Sequence, residues 1–457
     1  MGVRRRGRAD LEAWSAPGAR LAERVITTWQ GLDTPYQDAV LYLISGAFSA
    51  GTLVMAVSAD YREWAAMSMA PYFLAGLVTF LIRRSGPGRR VARLARARAA
   101  TILVLLVLTV VVPLVFELVW RADARSGAHA QPEVAVIERA GDRAALGRDP
   151  YPASPSTPGI SPSSDNRSID ATSFFPYLPG MVVFGLPNSA SGLRELGDAR
   201  VALAGTTILL SVVALLLAVG DRERRWRTLQ MLIVLPTGAL PLVTGGDDLP
   251  VLAFMLLGLV LAARRRPALA GVAVGLAATL KFTAWGVLVL LAFGVRDAEG
   301  ERAAGRYLAA AAAVVVPIVA AGVLAGPHAF LVNVVEFPLG LTKVHSPAAS
   351  PLLGQELVVL LPRLKKELTA LLLGGAAFVI LWALARRTPG TPSAVARFSA
   401  LAIILVVVVA PATRFGYFIY PVNLLVWSAM LRSLPPGEKP AERAGARIGS
   451  SAVTALG

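Results

Sequence analysis

Cysteine is absent from all 457 residues, which removes disulfides, thiolate metal sites and cysteine nucleophiles. Histidine is nearly absent: His129, His328 and His345 are the only three, too few for a His-rich haem or zinc site. Acids are scarce, 29 against 45 lysines and arginines, for a formal charge of +16. The N-terminal stretch MGVRRRGRADLEAW is basic but has no apolar core before residue 36, so it does not read as a cleavable signal peptide.

What abounds is apolar sequence. Hydrophobic residues make up 55% of the chain and the mean hydropathy is +0.60. They come in runs of roughly 20, the length that spans a bilayer, and they are apolar all round rather than on one face. The class that follows is an all-α integral membrane protein, a polytopic helical bundle. The runs are 36–57, 64–82, 99–120, 201–219, 228–243, 249–263, 269–295, 307–325, 369–385, 398–410 and 418–430. Phe174–Leu186 is too short to cross and is expected to lie at the interface or dip into the membrane.

The arginines set the expected orientation. They cluster at residues 4–8, 83–98, 222–227, 264–266, 296–306, 386–397 and from 432 onward. The positive-inside rule places all of these in the cytoplasm, with both chain ends. That works if the long run 269–295 crosses twice, as a hairpin turning near Lys281 on the outer side, for about 12 crossings in all. Charge at span ends also explains the basic composition without a nucleic-acid partner. A membrane-lipid environment is expected, and abundant Ala and Arg fits the plasma membrane of a bacterium with a GC-rich genome.

This topology divides the chain into a basic segment 1–35, two spans with a basic loop over 36–98, a main transmembrane region 99–432, and a disordered tail 433–457. It collects the polar segments on the outer face: a large loop after the third span (121–200), the Gly245–Asp248 turn, Lys281, a second loop (326–368) and Thr413–Tyr417. Within the first loop, Tyr151–Asp170 is Pro- and Ser-rich and reads as a flexible connection.

Five constellations there carry chemistry. Glu133 and Glu138 begin a short helix near the membrane surface, as a general base or as ordinary solvated acids. Asp247 and Asp248 follow Gly245-Gly246 between two spans, as functional acids at membrane depth or as helix caps. Lys281 interrupts an apolar stretch and needs a partner, which an anionic lipid phosphate supplies, unless it snorkels to the interface. Arg414, within RFGYFIYP, suits bidentate phosphate contacts, and the aromatics around it form a belt or a sugar-stacking surface. His345 is placed to meet a phosphate or a proton, or is a plain loop residue.

The order of these features resembles the GT-C class of membrane glycosyltransferases. It is closest to glycosyltransferase family 87, the polyprenol-phosphate-mannose-dependent mannosyltransferases of actinobacteria and their relatives. Four stretches carry it: EVAVIERAGDRAALGRDPY at 133–151, FFPYLPG at 174–180, RRPALAGVAVGLAATLKFTAWGVLVLL at 265–291, and RFGYFIYP at 414–421. The first two spans would then be an addition to a GT-C-like catalytic region over 99–432. The resemblance implies an inverting transfer from a lipid-phosphate sugar, with a loop carboxylate as base. In the family that carboxylate is typically Asp, eight positions before the glycine that Gly141 matches; here the position is Glu133.

The expected site is therefore Glu133 as base, with Lys281, Arg414 and His345 holding the donor phosphate. Asp247, Asp248, Glu138, Tyr151 and Tyr417 are the candidates for sugar and acceptor hydroxyls. The expected partners are a polyprenyl-phosphate-linked sugar and a glycolipid or cell-wall glycan acceptor. No resident cofactor is implied; the outer carboxylates leave room for a divalent cation, although no ligand spacing demands one. A polytopic transporter or lipid flippase stays open as an alternative, although no pair of related halves is visible. A non-catalytic scaffold derived from an enzyme fold also stays open.

Overall fold

The computed structural model describes residues 33–84, 91–124, 129–151, 171–190, 194–218, 221–342, 344 and 347–432. His345, nearly all of the Pro/Ser-rich loop, and the expected tail 433–457 lie outside the described residues.

The described chain is helical. Helix α1 is Thr34–Met55 and α2 is Ala59–Arg84. Helix α3 runs as Val91–Leu106, a wide π-turn at Val107–Val111, and Val112–Ala124. Helix α4, Pro132–Ala145, is amphipathic. Then come α5, Ala199–Leu217, and α6, which joins Arg222–Leu229, a π-turn at Gln230–Val234 and Pro236–Thr244. Helices α7 (Asp248–Ala263), α8 (Pro267–Leu280), α9 (Thr283–Glu299) and α10 (Glu301–Ala325) follow. The last three are α11 (Lys365–Arg386), α12 (Pro392–Val409) and α13 (Ile419–Arg432).

Eight of these helices are long and apolar enough to cross a membrane. With the shorter apolar helices α7 and α8 they make an all-α polytopic membrane protein. The run 269–295 is broken in two at Lys281–Phe282, as the charge pattern requires. Helix α6 begins at Arg222, earlier than hydropathy suggests, because its polar first turns are held by specific partners: the Asp221 side chain caps it by accepting from the Glu223 N–H at 2.9 Å, and Arg227 pairs with Asp38 at 2.8 Å. Asp33, Asp198 and Thr391 cap α1, α5 and α12 in the same way, each cap worth about 1 kcal/mol.

Helix α7 sits at the centre of the bundle. It has no polar face, and twelve of its sixteen residues are buried, the pattern of a helix enclosed on all sides. Helices α10 and α11 lie at the other extreme, with only 11% of their apolar windows buried, so most of their surface faces lipid.

Helices α1 and α2 are not loosely appended. Trp64 and Tyr72 of α2 are fully buried. The Trp64 indole donates to the Thr109 carbonyl at 2.9 Å, and the Tyr72 hydroxyl donates to the Val234 carbonyl at 2.5 Å. Both carbonyls belong to π-turns. A π-turn shifts backbone bonding out of the regular ladder, and in lipid every carbonyl so released needs a partner; α2 supplies two. On the same helices, buried Asp38 of α1 receives Arg98 of α3 at 2.6 Å and Arg227 of α6.

Candidate active site

The site is assembled by helix ends on one face of the bundle. Helix α6 ends at Gly245, whose φ of 103° is open to glycine and costly for other residues. The chain then turns through Gly246 so that Asp247 and Asp248 stand at the N-terminus of central helix α7, where a helix dipole favours negative charge. The break between α8 and α9 brings Lys281 against them. Its Nζ donates to Asp247 Oδ1 at 2.9 Å and to Asp248 Oδ1 at 2.6 Å. The break is fastened from both sides: Trp285 Nε1 donates to the Ala278 carbonyl at 2.9 Å, and the Leu178 N–H donates to the Leu280 carbonyl at 3.1 Å.

The Phe174–Gly180 segment, within the stretch expected at the interface or dipping into the membrane, packs on this break. It lays Tyr177 over this break, with Lys281 Nζ 5.3 Å from the ring centroid, a cation–π distance. The Tyr420 hydroxyl donates to Asp248 Oδ1 at 2.6 Å. One oxygen, Asp247 Oδ2, is buried without a hydrogen-bond partner.

The second half of the site is an ion pair between residues 281 positions apart in sequence. Arg414 donates to Glu133 Oε1 at 2.7 Å. Glu133 stands in the first turn of α4. Arg414 is fixed by the short parallel bridge of Thr413 with Ala349 and by the Ser350 N–H, which donates to the Thr413 carbonyl at 2.9 Å. The Arg414 side chain is 39% exposed and that of Glu133 is 21%; Lys281, at 13%, is more enclosed. The pair thus faces the open side, and the lysine cluster lies deeper.

Electrostatics tie the two halves together. Burial raises the pKa of Asp247; Lys281 opposes this, while Asp248 and Glu133 add to it. Burial works against the charge on Lys281 but is outweighed by the two aspartates, so its pKa lies above the usual lysine value. Burial likewise opposes the Arg414 charge and Glu133 more than offsets it. Burial pushes up the phenols of Tyr177 and Tyr417; Asp247 and Glu133 add to this at Tyr177, while at Tyr417 Lys281 opposes it and Asp248 adds to it. Three carboxylates face two cations here, and among the described residues no group of three or more His, Asp or Glu is arranged to hold a metal ion.

Glu138 and Tyr151 take other positions. Glu138 is buried and accepts both Arg121 guanidinium nitrogens, at 2.7 and 2.6 Å, and the Ala199 N–H at 3.2 Å. It therefore pins α4, and Glu133 with it, to the ends of α3 and α5. Tyr151 is fully buried between Phe175 and Phe330, and its hydroxyl donates to the Tyr177 carbonyl at 3.0 Å. Tyr177 and Tyr420 are partners that sequence reasoning missed. Tyr420 lies three residues beyond Tyr417 at the start of a helix, a spacing that puts both on one face; Tyr177 lies in the FFPYLPG stretch of the family resemblance, but nothing local marked it as a partner of Lys281.

Two glycines let α4 come close enough. A Cβ on Gly141 would land on the Gly185 backbone, and one on Gly185 would land on the Ile137 carbonyl.

The family model for Glycosyltransferase family 87 matches residues 175–452. No curated protein and no solved structure matches the chain. The matched segment contains Asp247, Asp248, Lys281 and Arg414, while Glu133 lies before it. Since the match spans more than half of a chain already seen to be a polytopic helical membrane protein, the protein is a membrane glycosyltransferase and belongs to glycosyltransferase family 87.

Proposed function

We propose that the protein transfers a hexose, mannose being the first candidate, from a polyprenyl-phosphate-sugar to a glycolipid or cell-envelope glycan on the outer side of the bacterial plasma membrane, with inversion. The observation that carries this reading is the Glu133–Arg414 pair at 2.7 Å, a candidate base and a candidate phosphate ligand meeting on the open side of a buried charged cluster.

In the proposed reaction the donor phosphate draws Arg414 away from Glu133, replacing a carboxylate with a phosphate as the guanidinium's partner. Glu133 is then free to take the proton of the acceptor hydroxyl. The acceptor oxygen forms its bond to the anomeric carbon as the bond from that carbon to the phosphate oxygen breaks. The electron pair goes to the phosphate, whose growing charge Arg414 stabilises and Lys281 favours from below. A phosphate leaves without being protonated, so one carboxylate is enough. Asp247, Asp248, Tyr417 and Tyr420 border the position of the donor sugar. Glutamate stands where the family usually has aspartate, and the Glu138–Arg121 anchor holds its helix in place while Arg414 moves to the phosphate.

The test is sugar transfer by purified protein from a panel of polyprenyl-phosphate sugars to membrane lipids and cell-wall extract, with Glu133→Gln alongside. Turnover should fall by about 10²–10⁴-fold in the variant, with an unchanged thermal unfolding midpoint. Full turnover by Glu133→Gln would remove the base from the mechanism.

A further inference from the structure

A second recess lies nearby, between the start of α2, the end of α3 and the residues just before α4. It is a shallow, open depression of about 450 Å³ lined by Glu63, Trp120, Asp123 and His129. The His129 ring nitrogen Nδ1 lies 2.7 Å from Glu63 Oε2, and the Trp120 and His129 rings are 5.9 Å apart. His129 has a φ of 65°, a left-handed backbone that side chains other than glycine's adopt at a cost. None of these residues belongs to the ion cluster at Glu133.

A tryptophan at the end of a membrane helix is by itself an interfacial anchor. An anchor, however, needs no carboxylate–imidazole pair beside it and no strained backbone to hold that pair. Trp120 packs between the Phe116 and His129 rings, 5.4 and 5.9 Å away, and an indole with two carboxylates and an imidazole lining one recess is a set of groups that grips a sugar: apolar C–H groups lie on the indole and the hydroxyls meet the charged oxygens and the ring nitrogen. The sign of the charge is selective. Glu63 and Asp123 repel an anionic phosphate, so the donor is drawn to Arg414 and a neutral glycan to the recess.

The recess also connects to the base. His129 is four residues before Glu133, so the two are within about 14 Å by the reach of an extended chain. Between them, Gln131 donates to the Tyr61 hydroxyl and to Thr244 Oγ1, both at 2.8 Å; Tyr61 sits two positions from Glu63 and within the electrostatic reach of Glu133 and Arg414.

We propose that the Glu63–Trp120–Asp123–His129 recess binds the acceptor as a neutral glycan. Its role as an acceptor site rests on the sugar-transfer reading above; its ability to bind a glycan does not. The α2 helix, which lies outside the family match, thereby supplies part of the specificity.

The experiment uses the full chain in nanodiscs and saturation-transfer NMR with mannobiose, galactobiose and arabinobiose in the absence of donor. Wild type should bind one of these disaccharides. Trp120→Ala should weaken binding by about 30-fold, the scale of a truncated aromatic anchor, Glu63→Gln should weaken it too, and Trp120→Phe should largely retain it. Polyprenyl phosphate binding should be unchanged in all of them. No disaccharide bound by wild type, unchanged affinity in Trp120→Ala and Glu63→Gln, or a loss of polyprenyl phosphate instead would overturn the proposal. Disaccharide binding at the recess without transfer from any donor would leave it standing and sink the sugar-transfer reading. Transfer with unaltered acceptor affinity in the recess variants would do the reverse.

Discussion

Two charged clusters flank helix α4, built from the same residue types and behaving differently. Around its middle, Arg121 and Arg200 face Glu138, Asp198 and Glu117. Arg200 is fully buried, donating to both Asp198 oxygens at 3.0 and 2.9 Å, to Glu117 at 3.3 Å and to the His129 carbonyl at 2.6 Å. At its N-terminus, Glu133 has Arg414 on an open side; each cluster keeps one buried carboxylate oxygen without a partner, Asp247 Oδ2 here and Glu117 Oε1 there, so access to solvent is what separates them. Closed networks hold a fold in register; clusters left open retain the capacity to exchange partners with a substrate. Under the proposed reaction, Glu138 and Glu133, two similar acids five residues apart on one helix, have different jobs: one positions and the other reacts.

The largest effects should separate the two clusters cleanly. Against the rate loss expected for Glu133→Gln with a normal fold, Arg200→Ala leaves buried carboxylates without their cation and should destabilise by about 3–5 kcal/mol, read as a lower unfolding midpoint and poor yield in detergent. Wild-type stability in Arg200→Ala would erase the distinction. Glu138→Gln lies between: it keeps the shape but weakens a charge-assisted pair, at about 1–3 kcal/mol, and should lower turnover through Glu133 while leaving donor KM unchanged. A selective rise in donor KM would place Glu138 on the substrate instead.

A smaller effect sharpens the comparison through pH. Burial tends to raise the Asp198 pKa, but Arg200 and Arg121 overcome this and hold it below the ordinary 3.8. A depressed acid contributes stability that is fully present above its unfolded-state value and is lost as pH falls through its folded-state value. The stability gap between wild type and Asp198→Asn should therefore be constant near neutrality and narrow below about pH 4. Thermal unfolding at stepped pH reads this, and a gap that widens in acid would contradict it. Smallest of all, Thr391→Ala removes the cap of α12, far from either cluster, and should cost about 1 kcal/mol with no change in KM or turnover.

The sequence determined a good deal of this protein by itself. Long apolar runs with arginines at their ends determine the class, because lipid demands internally bonded helices of a set length and charge avoids its core. Lys281 in the middle of a 27-residue run announced the broken hairpin, since a lysine there needs a partner. Capping and Gly-Gly signals located the Asp247–Asp248 turn. What the sequence withheld is who meets whom. Nothing local tells that Arg414 meets Glu133 across 281 positions, that Asp247 and Asp248 satisfy Lys281 before any substrate does, or that Glu138 is spent on Arg121. Those outcomes depend on how helix ends converge on one face of the bundle, on glycines that let α4 approach Gly185, and on π-turns that α2 covers. Each is a long-range packing result, decided only when the helices are assembled, because a charge in a low-dielectric interior is assigned its role by the nearest opposite charge and not by its neighbours along the chain.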